Sequence, residues 1–297
     1  MVSILIPTYN YACVNLVKEL SDQMISNNII GEIIVLDDYS NNQNTLIVNR
    51  LINDIECARF VELKQKYSIS KMRNLLVEYS QYNILLCLDS DAFPVRKTFL
   101  TDYLKAIEDV DVVSGGLLYR KSENISSLRY RYGNKCEAES IEKRRLEPYN
   151  AFKTVNYCIK RHVFDRVCFD ETINKYGHED LFFGKELEQN GFKIKHIDNP
   201  VYHDDKDEDF EFLQKTYVGL NNLAIHQDKL QSHSRILQMY NKFKRLRIAF
   251  LFRWAYVVFG GLMERHVLSG RPSVRVFQLL KLCYLSYQMV HMNMRSS

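Results

Sequence analysis

Asn83-Ile-Leu-Leu-Cys-Leu-Asp-Ser-Asp91 is the stretch on which the fold turns. Residues 83–88 read as a strand that is apolar on both faces, the kind that sits in the middle of a helix-flanked sheet. The run stops at two carboxylates, Asp89 and Asp91, on either side of Ser90. Upstream, strand and helix patterns alternate. An apolar run over 2–6 is halted by Pro7, and a helix over 12–26 follows on Val14, Leu16, Val17 and Leu20. A second strand over 32–36 ends in Asp37-Asp38, with a helix over 46–55. A third strand over 59–63 precedes a helix over 70–79 carrying Met72, Leu75, Leu76 and Tyr79.

Such alternation predicts an α/β fold with right-handed crossovers and a mostly parallel sheet. Ligands of that architecture bind beyond the carboxyl ends of the strands. Three ends then converge on one crevice: Pro7-Thr8-Tyr9-Asn10, Asp37-Asp38-Tyr39-Ser40 and Asp89-Ser90-Asp91. Downstream, residues 121–148 are polar and read as a mobile surface segment or an exposed helix pair. A strand resumes over 154–159, a helix spans 179–190 with Gly191 as its stop, and a strand over 193–197 leads to Pro200-Val-Tyr-His203. From about 207 the chain reads as helical.

The 297 residues allow one large domain or two small ones, and the expected division is 1–205 and 206–297. With 46% hydrophobic and 26% charged residues, disordered, collagen-like and coiled-coil chains are excluded. The seven cysteines have no C-x-x-C spacing, so buried reduced thiols are expected rather than a disulfide framework or zinc cluster. A strand pattern from Val2 leaves no visible signal peptide, and the expected compartment is the cytoplasm.

Charge is unevenly spread. Residues 241–297 hold ten Lys/Arg and one acid, Glu264, whereas the rest hold 30 basic and 35 acidic groups. The basic tail contains an apolar stretch over 248–263 broken by Arg253, and a second over 274–294 with Arg275 and Lys281. Its longest uninterrupted run, 254–263, falls short of the about 20 residues of a spanning helix. Basic residues beside Phe, Leu and Trp fit a helix lying in an anionic membrane interface. A helical subdomain packed on the body or on another copy, as in a homo-oligomer, is the alternative. No recognition motif supports nucleic-acid binding.

Crowding Asp89 and Asp91 at a strand end is costly without a cation or donors, and hard divalent ions want such oxygens. The alternative, a capping pair for the helix near Lys97, is set back by the intervening Pro94. The Asp37/Asp38 pair can meet a ribose or base edge, or open a turn; Tyr9 and Asn10 have the same two readings. Lys71 and Arg73, near the start of the third helix, can reach a pyrophosphate or brace the acidic crevice; Lys71 fits a solvated helix face better, and Arg73 an inward role. Glu179 and Asp180 suit a helix N-terminus, which also presents a general base. His203, at a strand end, is a candidate metal ligand; His162, His196 and His226 read as structural. The dinucleotide fingerprint, the P-loop and the G-x-S-x-G elbow are all missing.

Five segments occur in an order with its own meaning: Ser3-Ile-Leu-Ile-Pro-Thr-Tyr-Asn10, Val35-Leu-Asp-Asp-Tyr-Ser40, Ser70-Lys-Met-Arg-Asn74, Leu88-Asp-Ser-Asp91 and Gly177-His-Glu-Asp180. Together they resemble glycosyltransferase family 2, of the GT-A fold, over residues 2–205. Phe169-Asp-Glu171, Tyr176 to Gly184 and Ile197-Asp-Asn-Pro-Val-Tyr-His203 are similar to bacterial members that build surface polysaccharides.

The resemblance implies a hexosyl- or hexosaminyltransferase using a nucleotide-sugar donor, a UDP-sugar above others, with Mn²⁺ or Mg²⁺ and inversion at the anomeric carbon. Taken with the basic tail, the expected acceptor is lipid-linked or a polysaccharide, at the cytoplasmic membrane face. By position Asp38 meets the nucleobase, Asp89 the ribose or sugar and Asp91 the metal, with His203 completing the metal shell. Asp180 is the base and Glu179 orients hydroxyls. Pro7, Tyr9, Asn10, Arg73 and Ser90 complete the donor set. Tyr39 stands where glycine is common, and His178 precedes the Glu-Asp pair. The alternatives are an idle sugar-nucleotide-binding scaffold and a sugar-phosphate nucleotidyltransferase, which normally needs a Gly-rich first loop.

Overall fold

The computed structural model describes residues 1–121, 125–173, 177–204 and 207–293. Tyr176, Asp205 and Met294, which belong to segments quoted above, lie outside the described residues. The chain forms two compact units: Met1–Arg120, Ala138–Asn174 and Phe183–Asp205 make the first, and Lys121–Glu137, Lys175–Phe182 and Lys206–Ser297 the second. The second unit thus takes in two segments from before residue 205.

The strands are β1 (Val2–Thr8), β2 (Gly31–Asp37), β3 (Ala58–Glu62), β4 (Ile84–Leu88), β5 (Ala92–Pro94), β6 (Val112–Ser114), β7 (Leu117–Leu118), β8 (Asn156–Lys160), β9 (Ile194–His196) and β10 (Val201–His203). The helices are α1 (Val14–Ser26), α2 (Gln43–Arg50), α3 (Ile69–Tyr79), α4 (Phe99–Ala106), α5 (Leu128–Tyr132), α6 (Ile141–Leu146), α7 (Glu179–Gln189), α8 (Asp209–Ile225), α9 (Gln227–Leu230), α10 (Arg235–Arg245), α11 (Ala249–Val267) and α12 (Val274–Asn293).

The first unit is built on a sheet of order β3-β2-β1-β4-β8-β6-β9, parallel except for β8, which runs against both neighbours. Alternate residues feed opposite faces. Ile4, Ile6, Leu86 and Leu88 pack with Val17 and Leu20, whereas Leu5, Leu85 and Cys87 pack with Met72 and Leu76. This two-sided covering is why β4 is apolar throughout.

Pro7 does not halt β1, which runs on to Thr8. Val2 N–H and Thr8 C=O bond on the β2 side, so Pro7 faces β4, and pairing with β4 has already ended at Leu5↔Cys87. The missing N–H of proline costs no ladder bond there. The two strands part at this point, and β2 and β4 lie on opposite sides of β1, the switch point at which open α/β sheets bind ligands. A crevice there is lined by Pro7, Arg73, Asp89, Thr154 and Tyr157.

Two expectations are corrected. Of the polar stretch 121–148, residues 122–124 lie outside the described residues; the rest is not merely an exposed pair of helices, because each short helix buries an arginine: Arg129 on α5 and Arg144 on α6 are 5% exposed. Arg144 donates to the carbonyls of Ser114, Gly115 and Ile197. Gly116, at φ +88°, leaves room for it; a Cβ there would lie 2.7 Å from the guanidinium. The stretch from 274 also does not repeat the character of 248–263. On α12, Phe277, Leu280, Cys283, Leu285 and Met289 are buried, and the helix packs within the second unit against α8 and α11. Its apolar residues serve a core with Leu128, Leu213 and Val267. The face of α11 carrying Phe250, Leu251, Trp254, Val257, Val258 and Leu262 is exposed. Among the described residues no single helix is long and apolar enough to cross a membrane, although α10 and α11 together, bent by 112°, meet the length and composition. All seven cysteines are free, and Cys13, Cys87, Cys158 and Cys283 are buried.

Candidate functional site

The end of β4 acquires its neighbours through a second, three-stranded sheet of order β5-β10-β7. Antiparallel pairing sets His203 opposite Ala92, so the imidazole comes beside Asp91. Asp204 N–H donates to the Asp91 carbonyl at 2.9 Å, extending that pairing by one step. His203 Nε2 lies 3.3 Å from Asp91 Oδ2. One ligand atom from each of Asp89, Asp91 and His203 falls within 4.8 Å of the others. On the far side β7 runs parallel to β10, and the next residue, Tyr119, sets its hydroxyl 3.2 Å from His203 Nδ1. A metal-binding histidine is oriented by a partner on its second nitrogen, and Tyr119 occupies that position.

Electrostatics at this corner are strained. Desolvation raises the Asp89 carboxyl above the ordinary carboxylate range; Arg73 opposes that shift and the Asp91 charge adds to it. Arg73, 7% exposed, donates from Nη2 to Asp89 Oδ1 at 3.1 Å and lies 5.5 Å from the Phe169 ring centre. Burial, with Asp91 and Asp204 nearby, pushes the Tyr11 hydroxyl up to about 12. Two carboxylates and one imidazole converging at metal-ligand spacing fit a hard divalent cation such as Mg²⁺ or Mn²⁺. Ser90 stands half-buried between the two acids.

The other strand ends are partly committed to local structure. Asp37 is buried and accepts from the Ser40 N–H at 2.8 Å and the Ser40 hydroxyl at 2.5 Å, closing a turn. Asp38 is half-buried and accepts from Tyr67 N–H at 2.7 Å; desolvation raises its pKa. Tyr39 follows at φ 59°, the left-handed backbone that makes glycine the common choice there. Asn10 is woven into the same turn: its side-chain Oδ1 accepts from the N–H groups of Asn41 and Asn42 at 3.0 Å. Tyr9 is exposed, with the Lys66 ammonium 3.6 Å above its ring. Lys71 pairs with Glu171 at 3.2 Å in the open, and Asn74 donates to the Phe169 carbonyl at 3.0 Å.

Glu179 and Asp180 belong to the second unit and open α7, as the spacing predicts. Glu179 Oε2 accepts from Gly177 N–H at 3.1 Å, and Asp180 Oδ1 from Leu181 N–H at 2.8 Å. His178 has φ 72° and Gly177 φ 102°, so the chain enters the helix through two left-handed residues. Gly177 lies directly on α8: a Cβ on it would come 2.9 Å from Gly219 Cα, and Asn222 donates to its carbonyl at 3.0 Å.

Among the predicted residues, the structure brings Asp89, Asp91, His203 and Arg73 together. It sets Pro7 in the crevice with Arg73 and Asp89, and it places Asp38, Tyr9 and Asn10 at the neighbouring strand ends. Tyr119, Tyr11 and Lys66 escaped the sequence reading. The only available signal for Tyr119 was a tyrosine just after the short apolar pair Leu117-Leu118.

A family model described as glycosyl transferase family 2 matches residues 3–178. No curated protein sequence matches the chain. Among solved structures, the whole chain aligns with 87% of a mannosyltransferase, PcManGT from Pyrobaculum calidifontis, in complex with GDP-Man and Mn²⁺, at 15% identity and a TM-score of 0.61. TarS residues 1–349 from S. aureus, in complex with UDP-GlcNAc, align at 15% identity and a TM-score of 0.54, covering 99% of this chain and 91% of that one. Glucosyl-3-phosphoglycerate synthase from Mycobacterium tuberculosis, with Mg²⁺ and UDP, aligns at 13% identity and 0.52, covering 78% and 79%. At such identities these are likenesses of fold, and the fold they share is GT-A. The family match spans more than half of the chain and contains the acidic ends of β2 and β4, and on that ground the chain belongs to glycosyltransferase family 2.

Proposed function

We propose that the chain is an inverting, metal-dependent glycosyltransferase. It moves a hexosyl or hexosaminyl group from a nucleotide sugar, most simply a UDP-sugar, to a lipid-linked or polysaccharide acceptor. The observation that carries this reading is the meeting of Asp89, Asp91 and His203, which come from two places more than a hundred residues apart. These three would hold Mn²⁺ or Mg²⁺, and such an ion supplies positive charge beside a diphosphate leaving group. Arg73 fixes the Asp89 carboxylate and adds a cation to the crevice where Pro7 lies. Asp38 offers an acceptor for a nucleobase edge, with Tyr9, Asn10 and Ser90 around the donor. UDP or UDP-GlcNAc in two of the similar structures, against GDP-Man in the third, favours uridine.

Asp180 is the proposed base, and Glu179 aligns hydroxyls beside it. A helix N-terminus favours a carboxylate over its acid. Asp180 accepts the proton of the acceptor hydroxyl as that oxygen bonds to the anomeric carbon. The bond from this carbon to the donor's phosphate oxygen breaks, its electron pair leaves with the nucleoside diphosphate, and the configuration inverts.

The test is a panel of nucleotide sugars assayed for hydrolysis and for thermal stabilisation. One UDP-sugar should raise Tm and release UDP with Mn²⁺ or Mg²⁺ but not with EDTA. Asp180→Asn should lower transfer by about 10²–10⁴-fold while still being stabilised by the donor. Transfer indifferent to EDTA, or release of pyrophosphate from a sugar phosphate and a nucleoside triphosphate, would sink the reading.

The proposed location is the inner face of the cell membrane, held peripherally by α11. Support comes from its exposed Phe250, Leu251, Trp254, Val257, Val258 and Leu262, next to exposed Arg247 and Arg253. The chain should sediment with phosphatidylglycerol vesicles, and replacing Trp254 and Val257 by Ser should release it several-fold without lowering Tm. Undiminished sedimentation of that variant would count against the location.

A further inference from the structure

The second unit carries an open groove of about 590 Å³ that the transfer reaction above does not use. Four cations line it: Arg131 and Lys135 from α5 and the turn after it, and Arg271 and Arg275 from the segment that opens α12. No carboxylate lines it among the described residues. Lys135, Arg271 and Arg275 are exposed and make no ion pair among the described residues. Four like charges around one hollow repel one another unless an anion enters.

The walls are built rather than incidental. Arg131 Nη1 donates to the Pro272 carbonyl at 3.3 Å, tying one wall to the other. Lys281 donates to the Tyr132 hydroxyl at 2.8 Å, and Gln278 to Cys136 Sγ at 3.4 Å. The Tyr132 ring packs against Phe212 and Phe277, with centroids 5.5 and 5.2 Å away. The arginines of α5 divide the labour. Arg129 is buried, pairs with Glu137 at 2.9 Å and lies 4.7 Å from the Phe212 ring centre, so it secures the helix. Arg131, two residues on, is exposed to the groove.

We propose that this groove is a phosphate-binding subsite that takes the phosphate groups of an anionic acceptor. Guanidinium groups match phosphate oxygens in paired hydrogen bonds. The volume exceeds that of one phosphate and suits a diphosphate or a phosphodiester with part of its sugar. The phosphate can belong to a lipid diphosphate headgroup or to a phosphate-bearing glycan. That the bound anion is an acceptor rests on the glycosyltransferase reading; binding itself does not.

Calorimetric titration of the full chain in EDTA, with inorganic pyrophosphate and separately with farnesyl diphosphate, tests this. Replacing Arg271 and Arg275 together by Ala should weaken binding roughly ten-fold, a loss of about 1.4 kcal/mol. Lys135→Ala, on the opposite wall, should weaken it several-fold, and both variants should keep the wild-type Tm. Asp91→Asn should bind as the wild type does. Clear preference for farnesyl diphosphate assigns the phosphate to a lipid headgroup, and equal affinity assigns it to a glycan; both support the subsite. No binding by the wild type, unchanged binding by the groove variants, or loss in Asp91→Asn overturns it. The donor panel is untouched by any of these results, so failure here is distinct from failure of the transferase reading.

Discussion

β2 and β4 both end in paired acids, and the two ends have different fates. At β2 the chain turns at once: Asp37 closes the turn through Ser40, and Asp38 receives the Tyr67 N–H. At β4 the chain continues into β5, which pairs with β10, so His203 arrives from far along the sequence. At β2 Asp37 finds its donors in Ser40, three residues on, and Asp38 finds one backbone N–H, that of Tyr67, 29 residues on. The acids at β4 find one arginine, one imidazole and each other. An acidic strand end becomes a candidate cation site when a distant strand crosses it, and a turn when the local chain satisfies it first.

The largest expected effect comes from breaking the β4 end. Asp91→Asn should lower transfer by about 10²–10³-fold, some 3–4 kcal/mol. Its Tm should hold or rise, because one of two crowded charges is removed. Asp37→Ala should do the reverse: it deletes the acceptor of two hydrogen bonds in a buried turn, costs about 1–3 kcal/mol of stability and leaves turnover nearly intact. Loss of activity at unchanged Tm in Asp37→Ala would erase the distinction between the two ends.

The two strand-end histidines sharpen the same contrast at smaller scale. His196 is buried; its Nε2–H donates to the Pro148 carbonyl at 2.9 Å, and its Nδ1 accepts from Arg144 at 3.1 Å. Burial lowers its pKa to about 4, with the Arg144 and Arg145 charges acting in the same direction. The unfolded chain therefore binds the proton first. The contribution of neutral His196 is complete above the ordinary value of about 6.5 and falls as pH drops toward 4, reaching on the order of 1 kcal/mol of loss by pH 6. Melting curves of wild type and His196→Phe between pH 7 and 5 check this; the variant should have the shallower slope.

Much of this was legible in the sequence. The 83–88 run reads as a central strand, and Asp89, Asp91 and His203 each stand out by their position at a strand end. What escaped has a physical cause. β5 and β7 are three and two residues long, too short for any periodicity, yet their pairing with β10 assembles the cluster and adds Tyr119. Arg129 and Arg144 read as surface charge because an arginine is solvated by default, and only the folded chain reveals the carbonyls and carboxylate that bury them. The two apolar stretches of the tail look alike as strings; one forms a core helix because α8 lies over it.

The contact of Gly177 with Gly219 carries a practical warning. Bare backbone meets bare backbone there, so the first turn of α7 has its seat on α8. A shortened protein ending near residue 205 would keep the three candidate metal ligands while discarding the surface that seats the turn carrying Asp180, the proposed base. Inactivity of such a fragment would then reflect a missing anvil, not a missing catalyst.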